Sequence, residues 1–214
     1  MNLSSLYLKQ LEVGPMQNFV YLIGDRTKRE CVMVDPAWEV DRVLKEAEKD
    51  GMKVTGALVT HAHFDHVNGL SDFLKHVKGK IHCHREEAVY LKTWKSDLMP
   101  MESGDKLAVG DIEITFLHTP GHTPGSQCFL VENKLVSGDT LFIQACGRCD
   151  LPGGDAEQMY HSLKRLSELG EHTVLFPGHN YSDEPSSTIG EEKRSNPYLQ
   201  SPNLQEFLAF RMGR

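Results

Sequence analysis

The chain of 214 residues is 39% hydrophobic, enough to bury a sizeable core, and it reads as one domain over residues 1–214 with a short tail from about residue 183. Its 23 Lys and Arg face 30 Asp and Glu, and the net charge of −7 argues against polyanionic partners, both nucleic acid and anionic lipid. Residues 1–7 carry neither a basic region nor an unbroken apolar run, and no stretch approaches the ~20 apolar residues of a membrane span, so a soluble cytoplasmic protein is expected.

In chain order, β-branched and aromatic residues mark strands at 19–23, 31–34, 57–59, 112–117, 135–136 and 174–176. Between them, Val40, Val43, Leu44 and Ala47 share one helical face that stops at Gly51. Asp155 is placed to cap a second helix carrying Met159, Leu163 and Leu166 and stopping at Gly170. Residues 183–187 read as a polar surface loop. Early strands follow one another and later ones alternate with helices, which describes a mixed α/β chain and not a pure βαβ array. The cysteines Cys31, Cys83, Cys128, Cys146 and Cys149 are odd in number and are expected as reduced thiols. Cys146-Gly147-Arg148-Cys149 has C-x-x-C spacing but lacks the second pair of a zinc knuckle and the helix start of a redox motif.

The informative pattern lies after the strands. Thr60-His61 follows 57–59, Pro120-Gly121-His122 comes soon after 112–117, Gly138-Asp139 follows 135–136, and Pro177-Gly178-His179 follows 174–176. In layered α/β folds the loops beyond strand carboxyl ends gather in one crevice, so these segments can meet in space. His61-Ala62-His63-Phe64-Asp65-His66 packs four metal-ligand side chains into six residues. Imidazole suits zinc, iron and other borderline ions, and carboxylate adds charge and hardness. The expected cofactor is a pair of divalent metal ions, zinc first, with iron or manganese as alternatives. His82 and His84 share a strand face without completing a motif, and His76, His118, His161 and His172 read as surface or supporting groups.

Together, Thr60-His61-Ala62-His63-Phe64-Asp65-His66, Pro120-Gly121-His122-Thr123, Ser137-Gly138-Asp139-Thr140 and Pro177-Gly178-His179 resemble the successive motifs of the metallo-β-lactamase superfamily. The resemblance implies a four-layer αββα sandwich with its site between two sheets at one edge. It implies that His61, His63 and His122 hold a first ion, that Asp65, His66 and His179 hold a second, and that Asp139 bridges them. Asp35 would orient a ligand, or serve as a turn residue before Pro36.

Relatives that hydrolyse β-lactams usually have Cys or His where Asp139 stands, so antibiotic hydrolysis is disfavoured. The segments Gly138-Asp139-Thr140-Leu141-Phe142 and Cys146-Gly147-Arg148, with residues 187–197, resemble the glyoxalase II group and its relatives, which include the persulfide dioxygenases. The partner implied is a small-molecule thioester or thiol. Arg148 and Tyr181 are the candidates for binding it, ahead of Lys193 and Arg194. Asp65 and Asp139 would orient the attacking water, since divalent ions lower the pKa of bound water to about 7. The expected reaction is hydrolysis of S-2-hydroxyacyl thioesters such as S-lactoylglutathione. The alternative is a persulfide dioxygenase with a single ferrous ion on His61, His122 and Asp139, a set that leaves positions open for oxygen and a thiol.

Overall fold

The computed structural model describes residues 5–213; residues 1–4, part of the start read above for leader character, lie outside the described residues, as does Arg214. The elements in order are β1 (Leu6–Val13), β2 (Asn18–Asp25), β3 (Glu30–Val34), α1 (Val40–Lys49), β4 (Lys53–Leu58), α2 (Phe64–Val67), α3 (Leu70–His76), β5 (Ile81–His84) and α4 (Arg85–Ala88). A 3-10 turn (Lys92–Trp94) precedes β6 (Leu98–Met101), β7 (Lys106–Val109), β8 (Ile112–His118), β9 (Gln127–Val131), β10 (Lys134–Gly138), β11 (Leu141–Phe142) and β12 (Ala145–Cys146). The chain continues with α5 (Ala156–Ser167), β13 (Val174–Pro177), β14 (Ser187–Thr188), α6 (Ile189–Ser195) and α7 (Leu204–Met212).

Two six-stranded sheets form, in the orders β1-β2-β3-β4-β5-β6 and β14-β13-β10-β9-β8-β7. Their inner strands, such as β2, β3 and β9, are apolar on both faces, and alternation sends neighbouring side chains to different cores. On β2, Val20 and Leu22 join the core under α1 and α3, whereas Tyr21 and Ile23 join the core between the sheets. On β9, Phe129 and Val131 face that middle core while Cys128 faces α5. Three apolar interfaces separated by two sheets make the four-layer αββα sandwich. All five cysteines are free and buried.

The helices begin and end largely as their residues dictate. Val40, Val43 and Ala47 are buried along α1, and Gly51 takes φ +70° just beyond it. Asp155 caps α5 by accepting from the Gln158 backbone, although the helix ends at Ser167, short of Gly170. The segment from residue 183 is no loose tail. Ser187–Thr188 adds an edge strand, a Thr188/Glu191 capping box starts α6, and Ile189 and Phe207 are fully buried in the outer core.

Strand direction brings the predicted ligands to one edge. β3 and β4 are parallel, with Val34 beside Leu58, so Asp35 and the His61 segment emerge together. β10 and β13 are parallel, with Val136 beside Phe176, so Asp139 and His179 emerge together. β8 is antiparallel to β9, which is antiparallel to β10, so the chain leading to His122 leaves the same side. Backbone bonds from Phe19 N to Gly178 O (2.8 Å) and from Gln127 N to Thr60 O (2.9 Å) then lace the two sheets together there.

The opposite edge is pinned by Asp25. Its carboxylate accepts from Thr27 Oγ1 (2.6 Å) and Thr27 N (2.7 Å) in its own turn, and from Asp111 N (2.7 Å) between β7 and β8 of the other sheet. These bonds, the Thr27 hydroxyl foremost, lower its pKa from 3.8 to about 2. A depressed carboxylate contributes stability that is present above the unfolded pKa and is lost as pH falls through the folded one. Urea unfolding at a series of pH values should therefore show a steep loss of stability between pH 3.8 and about 2 that flattens in Asp25→Asn. An identical acid limb in the variant would count against this role.

Candidate metal centre

The segment after β4 carries His61 and His63 and runs into α2, which presents Asp65 and His66, while His122, Asp139 and His179 leave β8, β10 and β13. Gly178 is the point of closest approach: a Cβ there would lie 2.3 Å from Asp139 Oδ1, so only glycine lets these two segments cross. Three overlapping groups have ligand atoms within 4.8 Å of one another: His61, His63 and His122; His61, His66 and Asp139; and Asp65, His66 and His179. All seven predicted residues therefore converge. Asp139 lies among them, with Oδ2 3.5 Å from His122 Nε2 and 3.4 Å from His179 Nε2, and Oδ1 3.4 Å from His66 Nε2.

Hydrogen bonds outside the cluster decide which nitrogen faces inward. His122 Nδ1 meets the Arg148 carbonyl at 2.8 Å and His179 Nδ1 meets the Met16 carbonyl at 2.9 Å. A carbonyl only accepts, so both rings carry a proton on Nδ1 and turn Nε2 inward, where His179 Nε2 meets His66 Nε2 at 3.1 Å. His66 Nδ1 meets Asp35 Oδ2 at 2.9 Å with the same result. Thr60 Oγ1 donates to Asp35 Oδ2 (2.6 Å) and so accepts from His61 Nδ1 (3.0 Å), which bares His61 Nε2. Asp35 thus fills both roles open to it from sequence: it turns the chain with φ +50° and orients ligands. Asn18 holds Asp65 by donating to its Oδ2 at 2.9 Å, and is itself fixed by Trp38 Nε1 at 3.0 Å.

Burial and neighbouring imidazoles push His61 well down and His63 to about 4. Burial also acts to lower His66 and His179, but carboxylates, Asp139 foremost, outweigh it and raise both, so a cation bound there would displace the proton on Nε2. Burial would raise Asp139, yet His66 and His179 hold it well below the usual carboxylate range. Among the described residues, the buried side-chain polar atoms without a partner are His122 Nε2, Asp139 Oδ1 and Gln127 Oε1. Two of these three atoms point into the cluster, and bare imidazole nitrogens beside an ionised carboxylate are the donor set a divalent cation requires. The residues fit a metal.

A family model for the metallo-beta-lactamase superfamily matches residues 13–179. The chain belongs to this superfamily. It is 32% identical, over 91% of its length and 87% of the relative's, to the "Probable polyketide biosynthesis zinc-dependent hydrolase BaeB" of Bacillus velezensis. It is also 32% identical, over 95% of its length and 79% of the relative's, to the human mitochondrial persulfide dioxygenase ETHE1. The solved structure of ETHE1 from Myxococcus xanthus superimposes with a TM-score of 0.89 at 31% identity, covering 96% of this chain and 90% of that one. No helix among the described residues of this superfamily member is long and apolar enough to cross a membrane.

The proposed substrate-binding residues divide. Tyr181 lies at the site, its ring stacked on His179 at 4.6 Å and 10°. Arg148 contributes its backbone carbonyl to His122, but its exposed guanidinium is bonded to both Asp150 oxygens, at 3.0 and 2.7 Å. Lys193 and Arg194 lie 3.8 and 3.9 Å from Glu171, a residue outside the cluster. Of the histidines set aside, His84 and His118 stack face to face at 3.8 Å.

Sequence reasoning missed Glu87. Its fully buried carboxylate accepts from Ala62 N (2.6 Å) in the His61–His63 segment, and from Thr123 Oγ1 (2.7 Å) and Gly125 N (2.8 Å) beyond His122. No motif singles out a glutamate in a short helix after β5. Glu87→Ala would strip the acceptor from the Ala62 and Gly125 N–H groups, each costing ~1–3 kcal/mol, while the Thr123 hydroxyl keeps Ser126 Oγ at 2.7 Å. Urea unfolding should register a loss of about 2 kcal/mol or more, and elemental analysis should show weaker metal retention. A stability change under about 1 kcal/mol would contradict the clamp.

Proposed function

We propose that this metal-dependent enzyme acts at the sulfur of a small thiol-derived substrate, and that its reaction is oxygen-dependent oxidation of a persulfide. The observation that carries the reading is the identity of the partnerless atoms in the cluster: His122 Nε2 and Asp139 Oδ1, which with His61 make up the two-histidine, one-carboxylate set. The likeness to persulfide dioxygenases over nearly the whole chain supports it, and reverses the order of preference drawn from sequence alone. When bound there, ferrous iron would supply the redox chemistry that oxygen requires and that zinc lacks. Asp35 and Thr60 hold the rings of His66 and His61 in orientation, Asn18 holds Asp65 where its carboxylate can take a substrate proton, and Tyr181 offers a ring face at the mouth. Arg148 reaches a charged substrate end only by leaving Asp150.

A second reading, thioester hydrolysis of the glyoxalase II kind on two ions, is favoured by one specific feature. Asp65, His66 and His179 form a complete further set, which a single iron does not need, and relatives named as zinc-dependent hydrolases share this chain's length.

Two variants separate the readings. In the one-ion case His63→Ala leaves iron content near the wild-type value and oxygen uptake with glutathione persulfide within about tenfold, whereas Asp139→Ala removes the ion and abolishes uptake. An oxygen electrode and elemental analysis on ferrous-loaded protein read both. Cleavage of S-lactoylglutathione by zinc-loaded protein under nitrogen, with no oxygen uptake by the ferrous form, would sink the dioxygenase reading and promote the hydrolase.

A further inference from the structure

Beside His63 lies a cavity of about 70 Å³ whose walls include Ala62, Tyr90, Pro124 and Pro152. Its polar neighbours Glu87 and Thr123 are already engaged: the Glu87 oxygens accept from Ala62, Thr123 and Gly125, and the Thr123 hydroxyl donates to Glu87. Apart from His63, which belongs to the cluster, the surface left to a ligand is mainly apolar. At ~10–15 Å³ per water-sized position, the space takes a chain of roughly five heavy atoms.

The mouth of the centre has the same character. Large apolar side chains left exposed include Met16 (45%), Phe64 (70%), Tyr90 (62%) and Tyr181 (61%). Each is tied to the cluster: Phe64 lies between His63 and Asp65 in sequence, Tyr181 stacks on His179, the Met16 carbonyl holds His179, and Tyr90 lines the cavity beside His63. Exposed apolar groups gathered around one polar centre mark a binding surface. The cations offered by the sequence for a charged substrate end are instead engaged with Asp150 or lie near Glu171.

We propose that the group carried by the substrate's sulfur is apolar, a short alkyl or aromatic arm that seats beside His63 between Ala62, Tyr90, Pro124 and Pro152. This rests on the reading of the centre as one for sulfur compounds, and holds for persulfide and thioester alike. The arm lies against the cavity walls while the sulfur faces the cluster, and a compact anionic arm finds no counter-charge in the cavity.

Calorimetric titration of metal-loaded protein with ethanethiol, butanethiol, phenylmethanethiol and 3-mercaptopropionate tests the assignment without turnover. Affinity should rise up to about fourfold per buried methylene, up to about sixteenfold from ethanethiol to butanethiol, with 3-mercaptopropionate weaker than butanethiol. Ala62→Leu, which fills the cavity, should erase the gain from chain length, and Tyr90→Ala, which opens a wall, should reduce it; metal content of the same samples reports that each variant is folded. Affinity independent of chain length, tighter binding of 3-mercaptopropionate, undetectable butanethiol binding, or an undiminished gain in Ala62→Leu would overturn the proposal. Failure of both persulfide oxidation and thioester cleavage would sink the functional reading and leave this binding series to be judged separately.

Discussion

Four imidazoles at the centre each have one nitrogen bonded to an oxygen outside it: His61 to Thr60, His66 to Asp35, and His122 and His179 to the backbone carbonyls of Arg148 and Met16. That arrangement turns the other nitrogen of each ring toward a common volume, where His66 Nε2 and His179 Nε2 lie 3.1 Å apart and His61 Nε2 lies 3.1 Å from His63 Nδ1, with Asp139 ionised among them. The architecture around it serves this geometry. Parallel pairing of β3 with β4 and of β10 with β13 sets which residues emerge side by side, and the lacing between Phe19 and Gly178 and between Gln127 and Thr60 keeps the two sheets in register where they meet. A buried constellation of this kind, holding like-charged and oppositely charged groups together, is stable only with its partners satisfied, which explains why so many supporting bonds are themselves buried.

His61, His122, Asp139 and His179 were legible in the sequence because each follows a strand end or a sharp turn, and His63, Asp65 and His66 because four ligand side chains crowd into residues 61–66. Gly138 and Gly178 adopt or permit the close backbone approach that the crossing of Asp139 and His179 demands. Several strands of the middle core were legible for a related reason, since runs such as 19–23 and 112–117 are rich in apolar, β-branched and aromatic residues, whereas β9, which adds Phe129 and Val131 to that core, was not marked. The first strand, Leu6–Val13, was not, since Lys9, Gln10 and Glu12 interrupt its apolar residues on a partly exposed edge. Tertiary burial of α6 and α7 likewise left little local signal, because α6 is short and polar around one buried isoleucine and α7 spreads its apolar residues around the helix, so neither has a strong periodic stripe.

The groups around the ligands were the least legible. Glu87, Asn18 and Thr60 act through contacts with residues 25 or more positions away, or with a neighbour whose orientation only the fold reveals. The Met16 and Arg148 carbonyls carry no side-chain identity at all. Conversely, residue type alone overstated the reach of the Arg148 guanidinium, which Asp150, two positions on, holds in a fork. Residue chemistry marks what can ligate; its partners decide which atoms are free to.

The central claim is that seven residues form one pre-oriented centre for divalent metal. Its most direct test is crystallography of protein purified without added metal, with anomalous difference maps measured across the iron and zinc absorption edges. The account predicts an anomalous peak bounded by His61, His122 and Asp139, with coordination through His61 Nε2 and His122 Nε2, and any second peak bounded by Asp65, His66 and His179. Absence of anomalous density after soaking in ferrous or zinc ion, or density that contacts none of the bare imidazole nitrogens, would contradict it.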